Sequence, residues 1–460
     1  MEFLEINNDN HCSKITDETN KRMYGEVKTD LNIIETYFLR MLPQEVFKNK
    51  NLKWLDPGSG TGNFSISIYK ILMFSLEEEI INIQERKKYI IENMIYMVEI
   101  NPENTKILKE IFGEKANIYN TDFLTYNSDF KFDIIIGNPP FNNNGLKKVP
   151  TNNKNSKLND GNTVWTEFVK HSLTLLREDG YLSMIVPAIW MKPDKAKMYD
   201  LLTSFKILEM KSFTNTQTNR IFNGEAQTPT SIFLLKKTKS DKIIKIYDEN
   251  DSIFEYYLNK DNPIPIMGVS IVNKLQRFTN MIGYINVIKS NLPPKHIEIF
   301  EKKKDQSNYQ NITTCILNQN EPKMIYNYSF VPCPYYKKPK LVLAHGMYGF
   351  PFLDKNGEYG ISNRDNYVIT NYSAEKLEIM RQFLSTKFAL FIFETTRYRM
   401  KYLEKFAFEN LPDPTKLPNF HVPINDVSIA SYFKLTALER DAVLGIHKKN
   451  FDLFDVSDPE

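Results

Sequence analysis

The sequence predicts an α/β chain in two parts: a Rossmann-like, doubly wound sheet over residues 1–240 and a mixed α+β unit over 241–460. Three observations carry the prediction. Short apolar runs such as Ile95-Tyr96-Met97-Val98 and Ile134-Ile135-Ile136 read as buried strands. They alternate with stretches of helical apolar spacing, Phe64 to Leu76 and Trp165 to Leu176, the pattern of strand–helix–strand units. The charged run from Lys236 to Lys242 then marks a change of character.

The first strand, Trp54-Leu55-Asp56, feeds the turn Pro57-Gly58-Ser59-Gly60-Thr61-Gly62 and then a helix. Glycines let the backbone approach a ligand, and a helix N-terminus offers unpaired N–H groups. The spacing is G-x-G-x-G, which differs from the G-x-G-x-x-G of a pyrophosphate-binding turn. Asp56, Pro57, Gly58, Gly60 and Gly62 are therefore candidate cofactor contacts, with a plain strand-to-helix turn as the alternative. The second strand, Ile95 to Ile100, carries Glu99 near its end, where a carboxylate can accept both hydroxyls of a ribose. It can equally be a solvated strand-end acid. After Ile118-Tyr119-Asn120 come Asp122 and Phe123, an acceptor for an adenine amine and an aromatic to pack its ring; a cap and a core Phe are the alternatives. The order of these features, each at a successive strand end, favours one shared crevice, because strand ends of a doubly wound sheet line a single cleft.

The fourth strand, Phe132 to Gly137, ends in Asn138-Pro139-Pro140-Phe141. The two prolines fix the backbone and remove competing N–H donors. The Asn138 side-chain carbonyl and the Pro139 backbone carbonyl are left as acceptors for a planar NH2 group. Donation to both draws the amine lone pair out of conjugation and makes it a nucleophile. Phe141 offers a face on which the ring stacks. The matching electrophile is a methyl sulfonium held at the glycine turn.

These motifs, in this order, resemble the N6-adenine DNA methyltransferases of the gamma arrangement, the group of the TaqI and Eco57I modification enzymes. The resemblance covers roughly the first half of the chain. It implies a Rossmann-like S-adenosylmethionine-dependent methyltransferase domain over 1–240 and a target-recognition domain over 241–460. The segment Tyr24-Gly25-Glu26-Val27-Lys28-Thr29-Asp30-Leu31 resembles the family's opening motif, which folds over the methionine end of the cofactor; it makes Thr29 a cofactor contact. The family usually has Thr-Pro where this chain has Thr29-Asp30. Arg177 through Pro187 resembles the family's helix, glycine turn and buried strand. Asn219 to Glu225 matches a family hairpin whose aromatic stacks on the target adenine from the side opposite the tetrapeptide, which nominates Phe222. A core Phe is the other reading.

With a formal net charge of only +3 the chain is no basic coat, so any nucleic-acid surface must be local. Lys147 and Lys148, just after the tetrapeptide, and Arg397 and Arg399, flanking Tyr398, are the candidates for DNA contact; arginine reads guanine edges bidentately. Lys302-Lys303-Lys304 and Lys337-Lys338-Lys340 are further candidate clusters, the first of which reads as solvated surface first. Asn142 to Asn162 is polar and reads as a loop near the flipped base. In the second part, Lys340 to Ala344 reads as a strand, Ser373 to Phe383 as a capped helix, and Leu435 to Arg440 as the start of a last helix.

No apolar stretch approaches a membrane span, and the three cysteines, Cys12, Cys315 and Cys333, lie far apart with no zinc spacing. No metal is expected, and cytoplasmic residence is. Cysteine scarcity also disfavours C5-cytosine methylation, which needs a thiolate. The implied function is site-specific adenine-N6 methylation of double-stranded DNA, with a cognate restriction endonuclease as a possible partner. RNA adenine methylation, glutamine methylation and a non-catalytic DNA-binding subunit are the alternatives; extra mass after the catalytic part disfavours the glutamine reading. The sequence carries no signal for oligomeric state.

Overall fold

The computed structural model describes residues 27–143, 162–226, 228–248, 251–259, 262–318, 321–346, 351–399, 402–420 and 423–446. The chain divides into two compact units, 1–262 and 263–460.

The first unit is built on one nine-stranded sheet. Its strands are β1 (Trp54–Asp56), β2 (Ile95–Glu99), β3 (Asn117–Asn120), β4 (Phe132–Gly137), β7 (Leu176–Pro187), β8 (Phe205–Phe213), β9 (Thr230–Lys239), β10 (Ile243–Tyr247) and β11 (Ile253–Tyr257). The order is β11-β10-β8-β9-β7-β4-β1-β2-β3. The neighbours β3, β2, β1, β4 and β7 run parallel, and β9 is antiparallel to both β7 and β8. Every residue of β1 and β2 is buried, as in a sheet covered on both faces. The chain steps outward through β2 and β3, then returns to the other side of β1 at β4. That reversal opens the crevice between the C-terminal ends of β1 and β4, where open α/β sheets bind ligands.

The intervening helices are α1 (Asn63–Ser75), α2 (Ile83–Tyr89), α3 (Pro102–Phe112), α4 (Trp165–Leu175), α5 (Met198–Ser204) and α6 (Asn215–Ile221). α3 starts with its Asn101 side chain accepting from Glu103 N and a proline in the first turn. Ahead of β1, Asp30 caps the helical segment Leu31–Ile33 by accepting from Asn32 N, a role that the family's proline at this place lacks. A two-stranded ladder, β5 (Asn142–Asn143) with β6 (Asn162–Thr163), follows the tetrapeptide.

The observed division lies at 262/263, about twenty residues beyond the expected 240/241. The lysine run does not mark a linker: it lies on the end of β9 and the turn into β10, and β10 and β11 complete the sheet through pairing with β8. Asn219–Glu225 differs too. It is not a hairpin but the end of α6, whose capping box is formed by Thr214 and Gln217, followed by a turn with Asn223 and Gly224 at positive φ.

The second unit holds two four-stranded sheets. One orders β12 (Ile288–Lys289), β19 (Asn366–Thr370), β16 (Lys340–Ala344) and β17 (Phe352–Asp354); the other orders β13 (Ile299–Phe300), β15 (Glu321–Ser329), β14 (Tyr309–Asn318) and β18 (Gly360–Ile361). The helices are α7 (Val269–Ile282), α8 (Ala374–Leu384), α9 (Lys387–Thr395), α10 (Phe406–Glu409), α11 (Asp426–Tyr432) and α12 (Ala437–Leu444). Ser373 caps α8 as its sequence suggests. Lys340 does not join a surface cluster: it is fully buried in an ion pair with Asp354, and its ammonium also reaches the carbonyls of Tyr335, Lys338 and Tyr359. A buried ammonium needs such a set of acceptors to offset its desolvation.

Candidate active site

The site assembles at the reversal point because β1 and β4 are hydrogen-bonded neighbours, with Trp54 opposite Ile134 and Leu55 opposite Ile135. The glycine turn leaves β1 and the tetrapeptide leaves β4 side by side. Gly137, the last residue of β4, makes this approach possible. A β-carbon there would lie 3.0 Å from Pro57 Cδ and 3.4 Å from Asp56 Oδ1.

Gly60 and Gly62 have φ of 52° and 96°, conformations open to glycine at little cost. At Gly62 a β-carbon would also meet Leu108 at 2.8 Å. Glu99 fastens this turn: its two oxygens accept from Gly60 N at 2.7 Å and Asn101 N at 2.8 Å. It is 6% exposed, so it is no solvated strand-end acid. Asp56 is buried; one oxygen accepts from Ser65 Oγ at 2.9 Å and the other, Oδ1, has no hydrogen-bond partner. Burial pushes its carboxyl up to about 7, and the charge of Glu99 adds to the shift. Asp122 accepts from Leu124 N and caps a short 3-10 turn, as its turn-forming alternative foresaw. Phe123 is buried, tilted against Phe168 at 5.0 Å and edge-on to His171.

Asn138 is held from the N-terminal segment. Its Nδ2 donates to Val27 O and to Thr29 Oγ1, both at 3.1 Å. Its Oδ1 is buried and has no partner. A buried carbonyl oxygen left without a donor is costly in a folded protein and points to a ligand donor. Thr29, nominated as a cofactor contact, is 3% exposed and turns its hydroxyl to Asn138, while its backbone carbonyl accepts from Asn63 Nδ2 at 2.8 Å. Pro139 is buried, and Pro140 and Phe141 are half-buried. Phe222 lies in the core at 2% exposure and meets Phe141 edge to face at 6.5 Å, 86° between planes. That is not the parallel second plane of a base sandwich.

Lys147 and Lys148 lie outside the described residues. Arg399 is exposed. Arg397 is largely covered and ion-paired to Glu394 at 3.0 Å, and Tyr398 is fully buried with its hydroxyl on Ile264 O. The expected stripe thus presents one exposed arginine. Asn63, Ser65, Gly137 and Val27 were missed as site residues. The signals for two of them were position alone: Asn63 directly follows the glycine turn, and Gly137 directly precedes the tetrapeptide.

A parallel sheet with a glycine turn after β1, an acid at the end of β2 and an acceptor-bearing Asn-Pro-Pro-aromatic after β4 defines a methyltransferase that uses S-adenosylmethionine and acts on planar amines. The residues fit this cofactor: a turn that tolerates close approach, two carboxylates for a cationic, hydroxyl-bearing ligand, and one unpartnered Asp56 oxygen. Within the class, residues 62–222 match the family model described as Eco57I restriction-modification methylase. Three relatives are methyltransferases by name. The type II methyltransferase M.CvrRI of Paramecium bursaria Chlorella virus XZ-6E is 25% identical over 332 residues, 68% of this chain and 75% of that one. The type II methyltransferase M.AccI of Acinetobacter calcoaceticus is 28% identical over 207 residues, 43% of this chain and 35% of that one. A tRNA1(Val) (adenine(37)-N6)-methyltransferase of Aliivibrio fischeri is 24% identical over 159 residues, 32% of this chain and 63% of that one. The chain thus spans less than two thirds of the second and third relatives. Among the described residues, no helix is long and apolar enough to cross a membrane.

Proposed function

We propose that the protein is a site-specific adenine-N6 methyltransferase of double-stranded DNA, the modification enzyme of a restriction–modification system. The observation that carries this is the buried, unpartnered Asn138 Oδ1 on the strand next to the glycine turn. S-adenosylmethionine supplies the electrophilic methyl group. The protein's residues do the rest. An adenine turned out of the duplex, at a cost of a few kcal/mol, stacks on Phe141. Asn138 Oδ1 and the Pro139 carbonyl accept from its N6 amine and localise the lone pair on nitrogen. Orientation and electrostatics carry the rate, with no covalent enzyme intermediate. Residues 263–460 read the target, with Arg399 the exposed candidate for a phosphate or guanine edge.

The test is incubation of the full chain with S-adenosylmethionine and mixed plasmid DNA, followed by single-molecule mapping of modified bases beside Asn138→Ala. N6-methyladenine at one short motif is expected, with the variant slowed by a factor of about 10² or more and cofactor affinity unchanged. Cofactor binding without any modified DNA base sinks the proposal and brings RNA and protein amide substrates forward.

A further inference from the structure

We propose that Thr29 is a positioning residue for Asn138: its hydroxyl fixes the plane of the Asn138 amide so that Oδ1 faces the amine to be methylated. The inference rests on the reading of Asn138 as an amine acceptor, and it assigns Thr29 a role in turnover beyond its nomination as a cofactor contact.

The argument starts from the amide. The terminal torsion of asparagine is broad and roughly two-fold, so strand geometry alone fixes neither the plane nor the polarity of this side chain. Two contacts fix both. The Val27 carbonyl can only accept, so it demands the NH2 end; a flipped amide would set oxygen against oxygen. That sets polarity. A single contact still leaves the amide free to swing about it, and the Thr29 hydroxyl, accepting the second N–H at the same 3.1 Å, removes that freedom. With both hydrogens engaged, Oδ1 is left buried and open. The hydroxyl itself is held at a buried residue whose backbone carbonyl accepts from Asn63, the first residue of α1 after the glycine turn. One run of hydrogen bonds therefore joins the turn, Thr29 and the acceptor amide, three places far apart in sequence.

Valine is close to threonine in shape and lacks the acceptor, whereas serine keeps it. The full chain, labelled with 15N-asparagine and free of ligand, gives a side-chain NH2 pair for Asn138 that is identified by its loss in Asn138→Ala. That pair is expected to shift or broaden in Thr29→Val and to return in Thr29→Ser. In single-turnover methylation Thr29→Val is expected to be slower by about tenfold, the scale of one deleted neutral hydrogen bond, with Thr29→Ser near wild type and the Kd for S-adenosylhomocysteine within twofold throughout. If valine depresses the melting temperature by more than a few degrees, Thr29→Ala replaces it in both measurements. An unmoved amide resonance overturns the proposal. So does an unchanged rate, or a loss confined to cofactor Kd, which would make Thr29 a cofactor ligand. A wild-type protein that methylates no DNA defeats the substrate assignment instead, and the amide resonance then decides the role of Thr29 by itself.

Discussion

Asp56 sits where burial works against its charge, and this has a pH signature. A carboxyl whose pKa is raised by folding adds stability that is complete below the unfolded value and is lost as pH climbs through the folded one. For Asp56 that window runs from about 4, the ordinary aspartate value, to about 7. The melting temperature of the ligand-free protein, relative to that of Asp56→Asn, is therefore expected to fall between pH 5 and pH 8. A flat difference would mean that Oδ1 finds a donor or water in solution. A cationic ligand beside the carboxylate reverses the preference, so S-adenosylmethionine affinity is expected to rise from pH 6 to pH 8 in the wild type and to stay level in the variant. Isothermal titration at both pH values checks it. The same residue shows what a sequence makes legible. That Asp56 ends a strand before glycines was plain; that one of its oxygens is stranded depends on burial by elements elsewhere in the chain. Thr29 and Asn138 are 109 residues apart, and no local pattern announces their contact.

At the level of strands and turns, Gly137 has an outsized part. Alanine there drives a methyl group into Pro57 and Asp56, and overpacking of this kind costs about 1–3 kcal/mol. Because the turn and the tetrapeptide are the elements pushed apart, Gly137→Ala is expected to weaken cofactor binding severalfold and to lower the rate as well as the melting temperature. A variant that loses only stability would place the strain elsewhere. The strands around this glycine were readable because a strand buried on both faces is an apolar run ended by turn residues. α6 was less so. Its Thr214–Gln217 capping box is in the sequence, but the segment was assigned by resemblance as a hairpin, and a seven-residue helix is too short for periodicity to correct it. Phe222 illustrates the same limit, since a phenylalanine bound for the core and one bound for a base look alike in sequence.

Across the molecule, the division lies beyond the lysine run because those lysines end β9, an inner strand, and turn into β10, although in sequence such a run looks like a linker. A fragment ending at 262 keeps β10 and β11, whereas one ending at 240 strips the outer edge of β8. The longer fragment is expected to fold and bind S-adenosylmethionine without site-specific methylation, and the shorter to aggregate. Circular dichroism and cofactor titration of the two separate these outcomes; equal behaviour would show the last strands to be dispensable. The pairing of β1 with β4 carries one more consequence. The spacing between the glycine turn and the tetrapeptide is set by a backbone ladder, about 4.8 Å from strand to strand, and ladders keep register or lose it altogether. A substitution that loosens the core beneath them without entering the turn or the tetrapeptide, unlike Gly137→Ala, is therefore expected to change how many molecules are folded at a given moment and to leave the pace of each folded molecule unaltered.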